Sequence, residues 1–278
     1  MACSGTDRLD PDEIKANLRT KRIGGKILVY RSTSSTNDVA AEYAKNKEND
    51  GLVIFAEEQT AGRGRAGSKW HGGRAQSILC SIVLTENIVH RHLLSLACAV
   101  AVVEAVGRPG KSHAKIKWPN DILLNGKKVA GILLESKTNH DNSSCIVGVG
   151  INCHQKPDSF PEELRPIATS IDIESRSIVD RISLAKRLLT SIDHWLEAAQ
   201  ESSEKVIEKW CKLSIQLGHR TALVFNGTRF TGHCIGIDPE KGLILRLDTG
   251  GVRMFDAAHT TIIPAEDSGS QRSHVVYL

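Results

Sequence analysis

The chain has 278 residues, 40 % of them hydrophobic, enough for one large domain with a smaller one beside it around an ordinary buried core. A formal net charge of +4 is a mild excess, short of the basic face or tail that marks a dedicated nucleic-acid binder. No apolar run approaches the roughly 20 residues of a membrane span and the first residues lack a signal peptide's apolar stretch, so a soluble, cytoplasmic protein is expected.

The seven cysteines are odd in number, sit mostly in apolar runs and never form C-x-x-C, which argues against a disulfide framework or a zinc knuckle. In chain order, Asp10-Pro-Asp-Glu opens a short leading helix to Thr20, with Ile14 and Leu18 on one face. Lys26–Arg31 reads as a strand that gives way to Ser32-Thr-Ser-Ser-Thr-Asn37, and a helical pattern follows over Asp38–Lys45. The Ser/Thr/Asn cluster is a natural helix cap, and capping alone would account for it. Gly51–Ala56 then reads as a fully buried strand.

That strand feeds a loop, Glu58–Arg74, with an anion-binding composition. From Gln59 through Thr85 there is no Asp or Glu, while Arg63, Arg65, Lys69 and Arg74 are interleaved with glycines that let backbone amides approach a ligand. Gly62-x-Gly64-x-x-Gly67 also satisfies the literal dinucleotide fingerprint, but that motif needs a helix to start on its third glycine. Ser68–Gly73 has no helical period, so the Rossmann reading fails. Taken alone, the stretch is equally compatible with a solvated Gly/Arg loop.

Ser77–Thr85 anchors the loop's far end as another strand, and Arg91–Val106, apolar almost all round, predicts a helix packed deep against the sheet. Lys115–Leu124 runs into Asn125-Gly126, a strong hairpin signal, and resumes as Lys127–Glu135. Ser144–Asn152 is a further strand, in which Gly148 and Gly150 leave one face bare. Val179–Ala199 and Glu204–Ser214 predict amphipathic helices. From Gly218 the pattern changes to short strands between turns, which fits a small antiparallel barrel of about 50 residues. The expected divisions are a leader helix (1–24), a main domain (25–216), the barrel (217–264) and a tail (265–278).

Four segments sit where strands give way to loops: Ser35-Thr36-Asn37, Gln59 to Trp70, Lys117-Trp118-Pro119-Asn120-Asp121 with Lys128, and Gly148-Val-Gly-Ile-Asn152. Their order and rough spacing closely resemble the biotin protein ligases. The resemblance implies an α/β fold, a mixed sheet backed by helices of the class II synthetase and biotin ligase type, with a small SH3-like barrel. It also implies ATP-dependent activation of biotin as biotinyl-5′-AMP and transfer to a lysine of a carboxylase's biotin carrier domain. Both steps develop negative charge on oxygen and neither demands a protein nucleophile, so cations and amides should carry most of the catalysis.

Residue by residue, the resemblance places Ser35, Thr36, Asn37 and Gln59 at the biotin ring, with Gly62, Gly131 and Gly148 beside the ligand. Neutral amides and hydroxyls suit a ureido ring. Arg63, Gly64 and Arg65 match the loop over the biotin carboxylate and the phosphate, where a guanidinium fork binds an oxyanion. Lys128 matches the lysine at the carboxylate and α-phosphate. Trp70 and Asn152 match residues that hold adenine, with Lys117 and Asn120 also on the nucleotide side. Asp121 orients Lys128 or another cation, holds magnesium through water, or caps the turn. Magnesium is expected from the ATP chemistry, with no protein ligands assigned.

Ala66 departs from the pattern, standing where many relatives have a third arginine. About 25 residues precede the first strand, too few for the winged helix-turn-helix of repressor relatives, so nucleic acid is not an expected partner. The chain is expected to act off the membrane, as a monomer or homodimer. A lipoate or octanoate ligase of the same fold is the nearest alternative, but those lack K-W-P-N-D and the Ser-Thr-Asn cluster. A nucleic-acid module would want aromatics among the cations, and only 4 % of the chain is aromatic.

Overall fold

The computed structural model describes residues 7–89, 91–107, 114–139 and 142–264. The expected tail, 265–278, lies outside the described residues. Seven strands form one mixed sheet: β1 (Ile27–Tyr30), β2 (Val53–Ala56), β3 (Ser77–Leu84), β4 (Ala114–Lys117), β5 (Asp121–Leu124), β6 (Lys127–Asn139) and β7 (Asn142–Asn152). Their order is β1-β2-β3-β7-β6-β5-β4, parallel only between β1 and β2. The mixed α/β fold with a helix-backed sheet is therefore as expected.

The two faces of this sheet have different coverings because the strands alternate differently. On the back, Ile78, Cys80 and Ile82 of β3 and Val147, Val149 and Ile151 of β7 are buried and apolar. They share one core with α3 (Arg91–Val106), which lies against β4, β5 and β6, and with α5 (Arg181–Glu201), which reaches β3; α6 (Ser203–Leu213) packs on α3 and against β4. Twelve of the sixteen α3 residues are buried, as its all-round hydrophobicity requires of a helix sandwiched between layers. On the front, Ile54, Val83 and Ile146 pack under Ala40 and Ala41 of α2 (Thr36–Tyr43) and its C-cap Ala44, the small alanines allowing close approach. Beyond α2 the front face of β6 and β7 carries Gly131, Gly148 and Gly150, and no other helix packs on it among the described residues.

Several boundaries differ from those the sequence predicts. The leading helix, α1, spans only Pro11–Lys15 because Asn17 adopts a left-handed φ of 59° and ends it. The stretch Lys115–Leu124 is not one strand: Trp118, Pro119 and Asn120 form a turn between β4 and β5, so a three-stranded meander replaces the simple hairpin. The Asn125-Gly126 turn does form, with φ of 53° and 85°. A short helix, α4 (Ile171–Ser175), was not anticipated.

The C-terminal strands, β8 (Arg220–Phe225), β9 (Thr228–Asp238), β10 (Gly242–Leu247), β11 (Val252–Phe255) and β12 (Thr260–Ile263), pair antiparallel in the order β11-β10-β9-β8-β12. No ladder closes β11 onto β12 among the described residues, so the second unit is described as a five-stranded sheet. Its Leu223, Leu243, Leu245 and Phe255 join the same continuous core as the larger sheet.

A buried ionic network ties the N-terminal segment to the back of the main sheet. Arg181, fully buried at the first turn of α5, donates to Glu57 Oε2 (2.8 Å), to Asp7 Oδ2 (2.8 Å) and to the Ser77 carbonyl (3.1 Å). His154 stands between Asp7 Oδ2 and Asp172 Oδ2, 2.6 Å from each. These two carboxylates, Asp7 first, raise the His154 pKa above the ordinary imidazole value. The folded state therefore holds the proton more tightly than the unfolded chain. The stabilisation is fully present below the unfolded value of about 6.5 and is lost as pH rises through the higher folded value. Urea unfolding should show stability falling over that window in the wild type and a flatter profile in His154→Gln. Equal slopes in the two proteins would mean that this imidazole does not titrate with folding.

Candidate functional site

The front of the sheet beyond α2 is open because a side chain is missing from three facing positions. Gly131 pairs with Gly150 across β6 and β7, and Gly148 pairs with Ser81 across β7 and β3. A Cβ on Gly148 would lie 2.4 Å from Asn37 Oδ1, and one on Gly150 would lie 2.6 Å from Cε2 and Cζ2 of Trp70. The bare strip thus receives an amide at one end and an indole at the other. Around it lies a cavity of about 900 Å³.

Of the residues singled out in the sequence, Ser35, Thr36, Asn37, Gln59, Arg63, Gly64, Arg65, Trp70, Lys117, Asn120, Asp121, Lys128, Gly131 and Gly148 line this cavity. Gly62 and Asn152 do not. Gly62 lies behind the wall, its carbonyl accepting Trp70 N–H at 3.0 Å to pin the base of the loop. Asn152 is buried beside the cavity, its Nδ2 donating to the Thr169 carbonyl (3.0 Å) and its Oδ1 accepting from Gln155 (3.0 Å).

One end of the cavity is uncharged. Ser35 occupies the N-cap position of α2 but makes no capping hydrogen bond, so capping does not account for the cluster. Gln59 Oε1 instead takes both the backbone N–H (2.7 Å) and the hydroxyl (2.9 Å) of Thr36, which turns the Gln59 amide nitrogen the other way. Behind them the Ser81 hydroxyl lies 2.7 Å from Thr36 Oγ1 and 2.6 Å from Asn37 Oδ1. Thr36, Asn37 and Ser81 are all buried, so this hydrogen-bonding array is held rigidly.

The other end is cationic. Lys128 Nζ contacts Asp121 Oδ1 at 2.7 Å, with the two side chains only 22 % and 18 % exposed. The Lys128 backbone is tied on both sides to the 164–169 segment, N–H to the Ile167 carbonyl and carbonyl to Thr169 N–H, which fixes where its side chain starts. Arg65 donates to the Ala257 carbonyl and lies 3.5 Å from Asn120 Oδ1; burial pushes its pKa below the ordinary guanidinium value. Counting cavity-lining groups, four cations (Arg63, Arg65, Lys117, Lys128) face two carboxylates (Asp121, Glu163). Such a surplus in a partly desolvated cleft favours an anionic ligand.

The Gly/Arg loop is a folded hairpin-like tongue. Arg63 and Lys69 form a β-bridge, Gly64 N–H donates to the Ser68 carbonyl (2.8 Å), and a single 3-10 turn spans Arg65–Gly67, so no helix follows the glycines. Exposed Ala66 sits at φ 51°, in the left-handed region. The Arg63 guanidinium forks onto Asp38 (3.0 and 2.6 Å) and lies 3.5 Å from Glu135 Oε1, so in this structure it rests at the uncharged end. Its bond to Asp38 raises its pKa further. The Trp70 indole nitrogen is buried without a hydrogen-bond partner among the described residues.

Sequence reasoning missed Ser81, Asp38 and Glu135, and it kept the C-terminal sheet out of the site. A serine inside the apolar run Ile78–Leu84 and a glutamate closing the run Val129–Leu134 were the available signals. Ala258 and Thr260–Ile262 line the cavity from the C-terminal side, a contribution no local motif announces. Of the six described cysteines, five are buried, and one of these, Cys80, is among the residues that line the cavity; burial pushes the Cys153 thiol up to about 12.

The family model described as biotin/lipoate A/B protein ligase family matches residues 29–152. The chain is 34 % identical over 255 residues to the bifunctional ligase/repressor BirA of Bacillus subtilis, covering 90 % of this chain and 78 % of that protein. It is 32 % identical over 258 residues to the biotin–(acetyl-CoA-carboxylase) ligase of Mycobacterium tuberculosis, covering 88 % and 93 % respectively. The solved biotin protein ligase from Aquifex aeolicus in complex with biotin and ATP superposes with a TM-score of 0.74 at 25 % identity, over 87 % of this chain and all of that one. The chain belongs to the biotin/lipoate A/B protein ligase family.

Because an added methyl at Gly148 has no space, Gly148→Ala should drive the Asn37 amide off Ser81 and Glu135. A loss of about 1–3 kcal/mol in urea unfolding is expected. Wild-type stability in this variant would show that the bare position does not fix Asn37.

Proposed function

We propose that this chain activates biotin with ATP as biotinyl-5′-AMP and then transfers the biotinyl group to a lysine of a carboxylase's biotin carrier domain. The observation that carries the reading is the single cavity whose uncharged, rigidly hydrogen-bonded end meets a cationic end across a glycine floor. A neutral ureido ring suits the first and a carboxylate with a phosphate suits the second. The named activities of the relatives agree with it.

In this reading Ser35, Thr36, Asn37 and Gln59 bind the ring, and Gly131 and Gly148 let its body lie on the sheet. In the first step a biotin carboxylate oxygen attacks the α-phosphorus, a new P–O bond forms, and the bond to the β-phosphate oxygen breaks to release pyrophosphate. Lys128 and Arg65 supply fixed positive charge where negative charge builds on the equatorial oxygens, and Asp121 aims Lys128. In the second step the acceptor amine attacks the acyl carbon, the acyl–oxygen bond breaks, AMP leaves and the amine gives up a proton. Trp70, whose indole N–H has no partner among the described residues, Lys117 and Asn120 serve the nucleotide. Asn152, buried beside the cavity, keeps a second Nδ2 hydrogen and a second Oδ1 lone pair for the nucleotide.

Arg63 must leave Asp38 to reach an anion, so its part in catalysis requires a swing of the loop. Magnesium enters with the ATP phosphates as part of the substrate; Asp121, already held by Lys128, would meet it through water. We further read the five-stranded sheet as an SH3-like barrel and the main sheet as the class II synthetase type. The support is the short antiparallel strands, the irregularity between Ile244 and Leu245 that bends the sheet, and the helix-backed mixed sheet. The same reading has the chain working in the cytoplasm, as a monomer or homodimer, without membrane or nucleic-acid partners; its mild net charge and the absence of a membrane-length apolar helix among the described residues support it.

The test is pyrophosphate release from ATP and magnesium with biotin, lipoate or no acid. Release that depends on biotin is expected, and release with lipoate alone would transfer the chain to the sister activity. Lys128→Ala should lower the rate about 10²–10³-fold, the scale for removing one stabiliser of a developing oxyanion; unchanged turnover would remove Lys128 from the mechanism. Arg65→Gly cuts the contact between the loop and Ala257, so free adenylate should escape and label bystander lysines. Unchanged acceptor selectivity would show that this contact retains nothing.

A further inference from the structure

Glu135 belongs to none of the roles above, yet both its oxygens are committed at the uncharged end of the cavity. It sits on β6 four residues beyond Gly131, on the same face, opposite Ile146. Its Oε2 accepts Asn37 Nδ2–H at 3.0 Å, and its Oε1 lies 3.5 Å from the Arg63 guanidinium. We propose that Glu135 is a positioning residue that sets the hydrogen-bond polarity of the ring pocket by fixing which way the Asn37 amide faces. The proposal rests on the reading of this pocket as the biotin-ring site.

The neighbours of Asn37 differ in what they can donate and accept. A primary amide can be turned end for end with little change in shape, so its orientation is decided by its partners. Ser81 does not decide it, because a hydroxyl serves as donor to Oδ1 or acceptor from Nδ2 equally well. A carboxylate only accepts, so Glu135 admits Nδ2 alone. Oδ1 then faces Ser81 and takes its one proton, which leaves the Thr36 hydroxyl with Ser81 Oγ and Gln59 Oε1 as acceptors. The second Nδ2 hydrogen of Asn37 has no acceptor among the described residues, and Asn37 lines the cavity. Asn37 thereby presents a donor, not an acceptor, to the ligand. The matching chemistry is a neutral ring carrying a carbonyl oxygen.

The isosteric substitution Glu135→Gln tests the orientation directly. With Arg63 in the resting position seen here, 3.5 Å from this side chain, it can only donate, so it holds the amide oxygen of the substituted side chain and turns its NH2 toward Asn37, which answers with Oδ1 before any swing of the loop. Asn37 then presents an acceptor to the cavity at unchanged volume.

The experiment measures the affinity of the full chain for biotin and for the analogue that differs only in having sulfur, a weaker acceptor, in place of the ring carbonyl oxygen. The wild type should prefer biotin. In E135Q the biotin affinity should fall about tenfold, and most of the preference over the sulfur analogue should vanish, while ATP affinity stays within about twofold. An E135Q protein with the wild-type preference would overturn the proposal. If E135Q does not fold by circular dichroism, Glu135→Ala reads the same ratio, with loss of preference expected and its retention again contrary. Ser81→Ala is the control: Glu135 still orients the amide, so overall affinity falls but the preference persists, and loss of preference there would assign the orienting role to Ser81. A wild type that binds neither compound would instead refute the biotin reading of the cavity.

Discussion

A ligand can lie flat on a β-sheet only where the strands carry no side chains, and that constraint organises this molecule. Gly131 and Gly150 face each other across two central strands, with Gly148 one step along, so a strip of bare backbone runs through the front face. Everything else at the site is arranged around its edges. Alanines of α2 approach closely on one side and stop at Asn37, while the Gly/Arg tongue folds over from the other and lays Trp70 on the strip. The back of the same strands is apolar and buried, so the floor is held by a core that tolerates no displacement.

The charges follow a second logic, in which Lys128 and Arg65 are each held in place by a partner while the cavity keeps more cations than carboxylates. Lys128 is braced by Asp121 and by backbone bonds to the 164–169 segment; Arg65 is braced by a carbonyl of the C-terminal sheet. The second bracing makes the small sheet part of the site and not an appendage. Preorganised cations cost no reorganisation when charge develops, which is the form of catalysis that adenylate chemistry needs. Arg63 is the exception, since it is spent on Asp38 and must move to take part.

Much of this was legible in the sequence, for identifiable reasons. Strands and helices with strong periodicity, such as Arg91–Val106 and Ser77–Leu84, fall where the pattern predicts, because burial on one or both faces leaves a direct imprint on residue choice. That the four polar segments would meet at one cavity was legible because the order of their motifs resembles a known family, while the Gly/Arg loop alone left a solvated loop open. What stayed hidden depends on contacts between distant segments. The break at Trp118–Asn120 and the early end of α1 at Asn17 are backbone events that side-chain periodicity does not encode. The partnership of Asn37 with Ser81 and Glu135 joins residues 44 and 98 positions apart, and the C-terminal wall of the cavity is more distant still.

The account stands on one cavity performing both activation and transfer. The most direct test is intact-mass analysis of a biotin carrier domain incubated with this protein, ATP, magnesium and biotin, followed by peptide mapping. One biotinyl group on one carrier lysine, with none when ATP is omitted or lipoate replaces biotin, is the predicted result. A carrier left unmodified while biotin-dependent pyrophosphate is released, or one that takes lipoate instead, would contradict the account.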